Sequence, residues 1–424
     1  MIFAVVILPI ILLMMGLPIF TVLMASAAVA LIWVMHLPIG IIETTLFGSI
    51  DNYNLIAVPF FIFAGAIMTQ GGISGRLVDL VLSILGGVRG SLGLTTVGAC
   101  TAFGAISGSS PATVAAIGGM LYPSLREKGY PESVAAGLLA ASGAIAIIIP
   151  PSIAMILYGV AAEESVRFLF IGGILPGLLT ALLMGLYIYF TAHRLGIREG
   201  GSWSLAQIRT AVARSSWALG TPLIILGGIY LGVFSPTEAA GVACLYAIVV
   251  TVLIYRDLSL AGLWRVTTQS VYLTAQILII VGAATLMARL LTIAQVPQTA
   301  IDWIQAMQLA PWMVMLIVNL LLLFVGCVLD PASAILVLAP ILKPVMVAAG
   351  FNAVHFGVVM TVNLAIGMFT PPFGLNIFVA QAIFKVPLMV LYRGLAPLIV
   401  INLVALAIIS YWPWLTLVMV RALG

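Results

Sequence analysis

Charge is what this 424-residue chain has least of: 16 Lys or Arg and 12 Asp or Glu, 7% of all residues. A soluble domain is about 25% charged and roughly half apolar. Here the apolar set reaches 63% and mean hydropathy is +1.29. So few charges cannot cover a water-facing surface of this size, which excludes a soluble enzyme, a nucleic-acid binder and a disordered scaffold. Cysteine and histidine are scarce too. Cys100, Cys244 and Cys327 lie singly in apolar runs and read as small core residues, and His36, His193 and His355 are scattered. Neither set has zinc or di-iron spacing. No Lys or Arg precedes Arg76, so residues 1–35 lack the basic start of a cleavable signal peptide, and their apolar stretch is too long for one. The net charge of +4 sits mainly in loops and reflects membrane topology, not an anionic polymer partner.

What the chain has in quantity is apolar runs of about 20 residues, the length that crosses a bilayer as helix. They predict an all-α polytopic membrane protein with spans near 2–34, 54–72, 131–162, 166–193, 216–234, 236–255, 268–292, 355–384 and 389–418. Segment 75–88, with Arg76, Asp79 and Arg89 around apolar residues, reads as an interfacial arm helix, and 258–266 as its counterpart. Basic residues favour the cytoplasmic side. Arg194, Arg198, Arg209 and Arg214 therefore make 194–215 a cytoplasmic linker, with 122–132 and the turn at Arg256 on the same side. Loops 36–53 and 293–310 carry only Glu43, Asp51 and Asp302 and are expected outside.

Two stretches fit no simple span. Residues about 90–125 are broken by Ser107-Gly108-Ser109-Ser110-Pro111, and both ends carry cytoplasmic signals. Residues about 311–346 are broken by Asp330-Pro331-Ala332-Ser333, and both ends read as external. Each predicts a re-entrant hairpin, because non-helical backbone at membrane depth survives only where protein or a cavity surrounds it. The halves also correspond. At an offset of 221, Pro123 falls on Pro344, Gly129 on Gly350, Pro150-Pro151 on Pro371-Pro372, Gly173 on Gly394 and Pro176 on Pro397. With hairpins entering from opposite faces, 1–193 and 216–424 are expected to be inverted repeats. Inverted repeats with matching interrupted helices point to a secondary transporter whose site lies near the midplane.

The interruptions carry the chemistry. Pro150-Pro151 and Pro371-Pro372 (broken helices at 149–152 and 370–373) remove backbone donors and leave carbonyls without helical partners. A dehydrated cation suits those oxygens, and the helix N-termini after each break suit an anion. Ser107, Ser109 and Ser110 beside two glycines and Pro111 point to ligand contact rather than simple packing. Asp330 is the one carboxylate in the apolar run 311–342, a functional candidate that is also placed to cap the helix starting at Pro331. Arg289 stands near the outer end of 268–292, where it either snorkels or meets anionic substrate. Glu238 after Pro236-Thr237 reads as a helix cap. No acid pair or Ser/His dyad lies at depth, so no enzyme is expected.

The motifs GAISGSSPATVAAIG (104–118), IIPPSIAMILYG (148–159), LDPASAIL (329–336) and TPPFGLNIFV (370–379), in that order over essentially the whole chain, resemble the large membrane subunit of TRAP (tripartite ATP-independent periplasmic) transporters. The resemblance implies a sodium-coupled elevator in the bacterial or archaeal cytoplasmic (inner) membrane. It also implies a separate small four-helix membrane subunit and a periplasmic binding protein that delivers an organic acid, such as a C4-dicarboxylate or sialic acid. Carried onto this chain, one Na⁺ would lie among Ser107, Gly108, Ser109, Gly143, Pro150 and Ser152. A second would lie among Asp330, Ala332, Thr370, Pro371 and Asn376. Substrate carboxylate would sit between the tips, at Ser109, Ser110 and Ser333, with Arg289. The competing expectation is a stand-alone sodium/carboxylate or anion symporter of the same broad fold, working without a binding protein.

Overall fold

The computed structural model describes residues 3–197 and 204–423, and among them every regular element is helical. Among the described residues eight helices are long and apolar enough to cross a membrane: Tyr53–Gln70, Val166–Arg194, Leu205–Tyr230, Pro236–Ile254, Leu260–Ile293, Pro311–Val328, Pro331–Ala348 and Leu388–Tyr411. Their starts are written in short polar residues. Ser165, Ser204, Ser235 and Ser259 each accept a backbone N–H from the first turn they precede. At Ser235 the cap is reciprocal, since the Glu238 carboxylate accepts the Ser235 N–H at 2.8 Å. Glu238 is the helix cap expected of it.

Several expected boundaries move. The stretch 2–34 is not one span. It turns at Gly16, whose φ of +78° suits glycine, and restarts after Pro18, which has no N–H to continue a ladder. The last span ends at Tyr411, and Pro413 separates it from Trp414–Leu423. The expected loops 36–53 and 293–310 contain the helices Gly40–Ile50 and Val296–Ala306. Residues 258–266 form no separate arm. They open the 34-residue helix Leu260–Ile293, about 50 Å long at 1.5 Å per residue and longer than a bilayer core. The first arm does form, as the amphipathic helix Ile73–Leu85. Residues 205–215 of the expected linker are the opening turns of Leu205–Tyr230, and Arg198 lies outside the described residues.

Four elements are interrupted. Hairpin 1 is Ser91–Ser107 and Ser110–Glu127 around a tip at Gly108-Ser109; hairpin 2 is Pro311–Val328 and Pro331–Ala348 around Leu329-Asp330. The first broken helix runs Glu132–Ala144, continues as a tighter turn to Ile147, and resumes as Ile153–Ala161. The second runs Ala353–Gly367 and resumes as Leu375–Phe384. Each break contains a cis Pro-Pro bond, Pro150-Pro151 and Pro371-Pro372.

The packing is crossed. Leu375–Phe384, from the second broken helix, lies on the second helix of hairpin 1, with Tyr122 stacked on Phe384 at 4.5 Å. Ile153–Ala161, from the first, lies on the second helix of hairpin 2, where Lys343 meets Glu164 at 2.7 Å. Within each half, Gly104, Gly143, Gly326 and Gly367 let the hairpin lie close on its own broken helix: a Cβ on Gly104 would stand 2.6 Å from Ala146 Cα, and one on Gly367 2.4 Å from Gly326 C.

Candidate functional site

Tip 1 sits on the first break. Gly108 takes φ +56°, and a Cβ there would fall 2.7 Å from the Pro151 carbonyl oxygen. The tip is internally braced. Thr113 Oγ1 donates to the Ser109 carbonyl at 2.8 Å and lies 3.0 Å from Ser107 Oγ. Gly143 faces Val114 and the Ser110 carbonyl, and Ser107 also packs on Gly65 of the span Tyr53–Gln70. The structure thus gathers Ser107, Gly108, Ser109, Gly143, Pro150 and Ser152 in one buried knot, with Ser109 its half-buried member. The carbonyls of Ile149, Pro150 and Pro151 accept no hydrogen bond among the described residues. Buried carbonyls without partners are costly in a membrane interior, and a hard cation satisfies such oxygens.

Tip 2 is built differently. Asp330 is the N-cap of Pro331–Ala348, and both its oxygens are engaged by Ser333: the backbone N–H at 3.0 Å and the hydroxyl at 2.6 Å. Cys327, just before the tip, accepts the Gly374 N–H at 3.2 Å and so ties hairpin 2 to the second break. Thr370 donates its hydroxyl back to Ile366, and a Cβ on Gly374 would lie 3.0 Å from the Thr370 carbonyl oxygen. Ala332 and Pro371 are half-buried on this side, whereas the first break is fully buried.

Asn376 is not with that second set. Its side chain is fully buried against tip 1, where Nδ2 donates to Ser110 Oγ at 2.8 Å and to the Ala140 carbonyl at 2.9 Å. The reason is the crossed packing, which carries Leu375–Phe384 over to hairpin 1. Arg289 also stands apart. It lines a cavity of about 600 Å³ with Thr44, Ser49, Asn52, Thr292 and Leu336, none of them from a tip.

The four helix N-termini at the breaks divide into two kinds. Ile153–Ala161 is capped by Ser152, which accepts the Met155 N–H at 3.3 Å and donates to the Ile147 carbonyl at 2.6 Å. Pro331–Ala348 is capped by Asp330. By contrast, Ser110–Glu127 and Leu375–Phe384 have no side-chain cap, and these two are stitched together in their first turns by Ser110 and Asn376. An uncapped N-terminus carries roughly half a positive charge, though at Leu375–Phe384 the Asn376 and Ile377 N–H groups already donate to the Met368 and Gly374 carbonyls, each at 2.9 Å. Two of them converge here.

Sequence reasoning missed Thr113, Gly65 and the Asn376–Ser110 bridge. It also missed a buried polar chain from Asn363 through Asn319 to Ser410 and His355, with Nε2 of His355 3.2 Å from the Ser410 carbonyl oxygen. Asn319 and Asn363 inside apolar runs were the available signal, since amides at membrane depth join helices.

Among known proteins, the family model described as "Tripartite ATP-independent periplasmic transporter, DctM component" matches residues 6–415. The C4-dicarboxylate TRAP transporter large permease protein DctM of Pseudomonas aeruginosa is 41% identical over 379 residues, 89% of each chain. The ectoine/5-hydroxyectoine TRAP transporter large permease protein UehC of Ruegeria pomeroyi is 40% identical over 96% of each. In fold, the chain is similar to the YdaH transporter of Alcanivorax borkumensis, with a TM-score of 0.64 and 15% identity over 88% of this chain and 87% of that one.

Proposed function

The chain belongs to the DctM component family of tripartite ATP-independent periplasmic transporters, and on that premise we propose that it carries an organic acid inward across the bacterial inner membrane together with sodium. The relatives named differ in what they transport, C4-dicarboxylate in one and ectoine in another, so the proposal goes no further than a small carboxylate. The observation that carries it is the pairing of two unlike sites at tip 1. Partnerless carbonyls at Ile149, Pro150 and Pro151 offer oxygen to a cation, and beside them the uncapped N-terminus at Ser110, tied to Asn376, offers N–H groups and the positive end of its dipole to a carboxylate. A cation bound first raises the local positive potential, which favours the anion. In this scheme Asp330 and its cap are the second cation locus, with the Thr370 carbonyl as a further oxygen donor.

Movement follows as an elevator: the hairpins and broken helices travel as one body past the long helices, such as Leu260–Ile293, that stay fixed. A small four-helix membrane subunit seats on the fixed helices, and a periplasmic binding protein delivers substrate above the hairpins. The test is uptake in proteoliposomes with the three components added in turn. Substrate accumulates when the chain, the small subunit and the loaded binding protein are all present, and hardly at all with free substrate and the chain alone. Full-rate accumulation by the chain alone would replace this proposal with a stand-alone symporter.

A further inference from the structure

The amphipathic helix Ile73–Leu85 is held at its start by a cluster that the site does not use. Arg76 Nη1 lies 2.6 Å from Asp257 Oδ2, and its guanidinium carbon stands 3.7 Å from the centroid of the Tyr255 ring. Tyr255 in turn donates to the Arg214 carbonyl at 3.0 Å, and Ser215 Oγ donates to the Arg76 carbonyl at 2.9 Å. These contacts fix the start of the helix to Leu205–Tyr230 and to the turn after Ile254. The rest of the same helix faces hairpin 1: Val81 and Leu85 fill the space beside Gly98, and Gly75 faces Met120. Glycines in the left-handed region bound it on either side, Gly72 at φ +71° and Gly90 at φ +71°. The amphipathic helix at the matching place in the second half, Val296–Ala306, has no buried residue and makes no ion pair with the long helices among the described residues.

We propose that Arg76 is the pin of a lever: it fastens Ile73–Leu85 to the fixed helices, so that this helix, and not Val296–Ala306, sets the path along which hairpin 1 travels. The inference rests on the elevator reading above. Arg76 touches neither tip, so it is a positioning residue, acting on the rate of travel and not on binding. A partly exposed ion pair with a flat guanidinium–ring contact is a modest interaction, equivalent to about a threefold to tenfold effect.

Two measurements on the reconstituted transporter test it. In Arg76→Gln, backbone hydrogen exchange across 73–85 should quicken about threefold to tenfold, with 296–306 unchanged. Maximal uptake rate should fall by a similar factor, while half-saturating sodium and substrate concentrations stay put. Arg76→Lys should recover part of both, because it keeps the charge but loses the flat stacking on Tyr255. Unchanged exchange in 73–85 overturns the pin whatever the transport data show. So does faster exchange with a wild-type maximal rate, or a shift in half-saturation without a change in rate. If the wild-type protein shows no sodium-coupled uptake, the functional reading fails instead, and exchange still decides whether Arg76 anchors the helix.

Discussion

At the scale of the residue, Asp330 separates two roles that one side chain can hold. Its carboxylate caps Pro331–Ala348 through Ser333, and it is a charge inside an apolar hairpin. Asn also caps well, so Asp330→Asn should hold stability to within about 1 kcal/mol. Sodium-driven uptake should nevertheless be lost, because the compensating charge is gone. Thermal unfolding in detergent and uptake, measured on the same preparation, check the pair of outcomes; an active Asp330→Asn with unchanged sodium dependence reduces Asp330 to a cap. Gly108 offers a second test. Gly108 and Gly129 both have positive φ, but a Cβ on Gly129 meets nothing within 4 Å, whereas one on Gly108 strikes the Pro151 carbonyl oxygen. Gly129→Ala should therefore cost only the backbone strain, about 1 kcal/mol. Gly108→Ala should cost about 2–4 kcal/mol and push the tip off the break. Equal unfolding shifts for the two variants would mean that the tip does not need this contact.

Elements show how much was legible before the structure. The helix interruptions at both tips and at both Pro pairs could be read because Pro and Gly are strong local punctuation. The crossed packing could not be read. It is a matter of which helix lies on which, and Asn376 carries no mark that it bonds Ser110, 266 positions away, rather than partners near Thr370. Periodicity also failed at the helix starts: 205–215 and 258–266 are polar enough to read as linker or arm, yet their Ser204 and Ser259 caps begin uninterrupted helices. The bridge between elements has a measurable strength. Asn376→Ala removes the partner of the buried Ser110 hydroxyl and the side-chain donor to the Ala140 carbonyl, and should destabilise by about 1–3 kcal/mol. Ser110→Ala alone should cost less, and the double variant should fall short of the sum by about 1 kcal/mol. Strict additivity in a double-mutant cycle of unfolding free energies would show that the two first turns are not joined.

For the whole molecule, the two halves share a plan but not a chemistry. One crossed contact is an aromatic stack, Tyr122 on Phe384; its counterpart is an ion pair, Lys343 with Glu164. Two helix N-termini are capped by side chains, and two, side by side at tip 1, carry no side-chain cap. On the function proposed above, that asymmetry lets two similar halves hold unlike ions. It leads to the central claim, that a carboxylate and sodium travel together through this chain. The most direct measurement is uptake into proteoliposomes holding the chain and its small subunit, supplied with loaded binding protein, under imposed gradients. Two sodium ions with one monocarboxylate would carry one net charge inward, driven by about 2.3 kcal/mol per 100 mV. Uptake should then need an inward sodium gradient, quicken when the interior is made negative, and stop in sodium-free potassium buffer. Uptake that continues undiminished in that buffer would contradict the account.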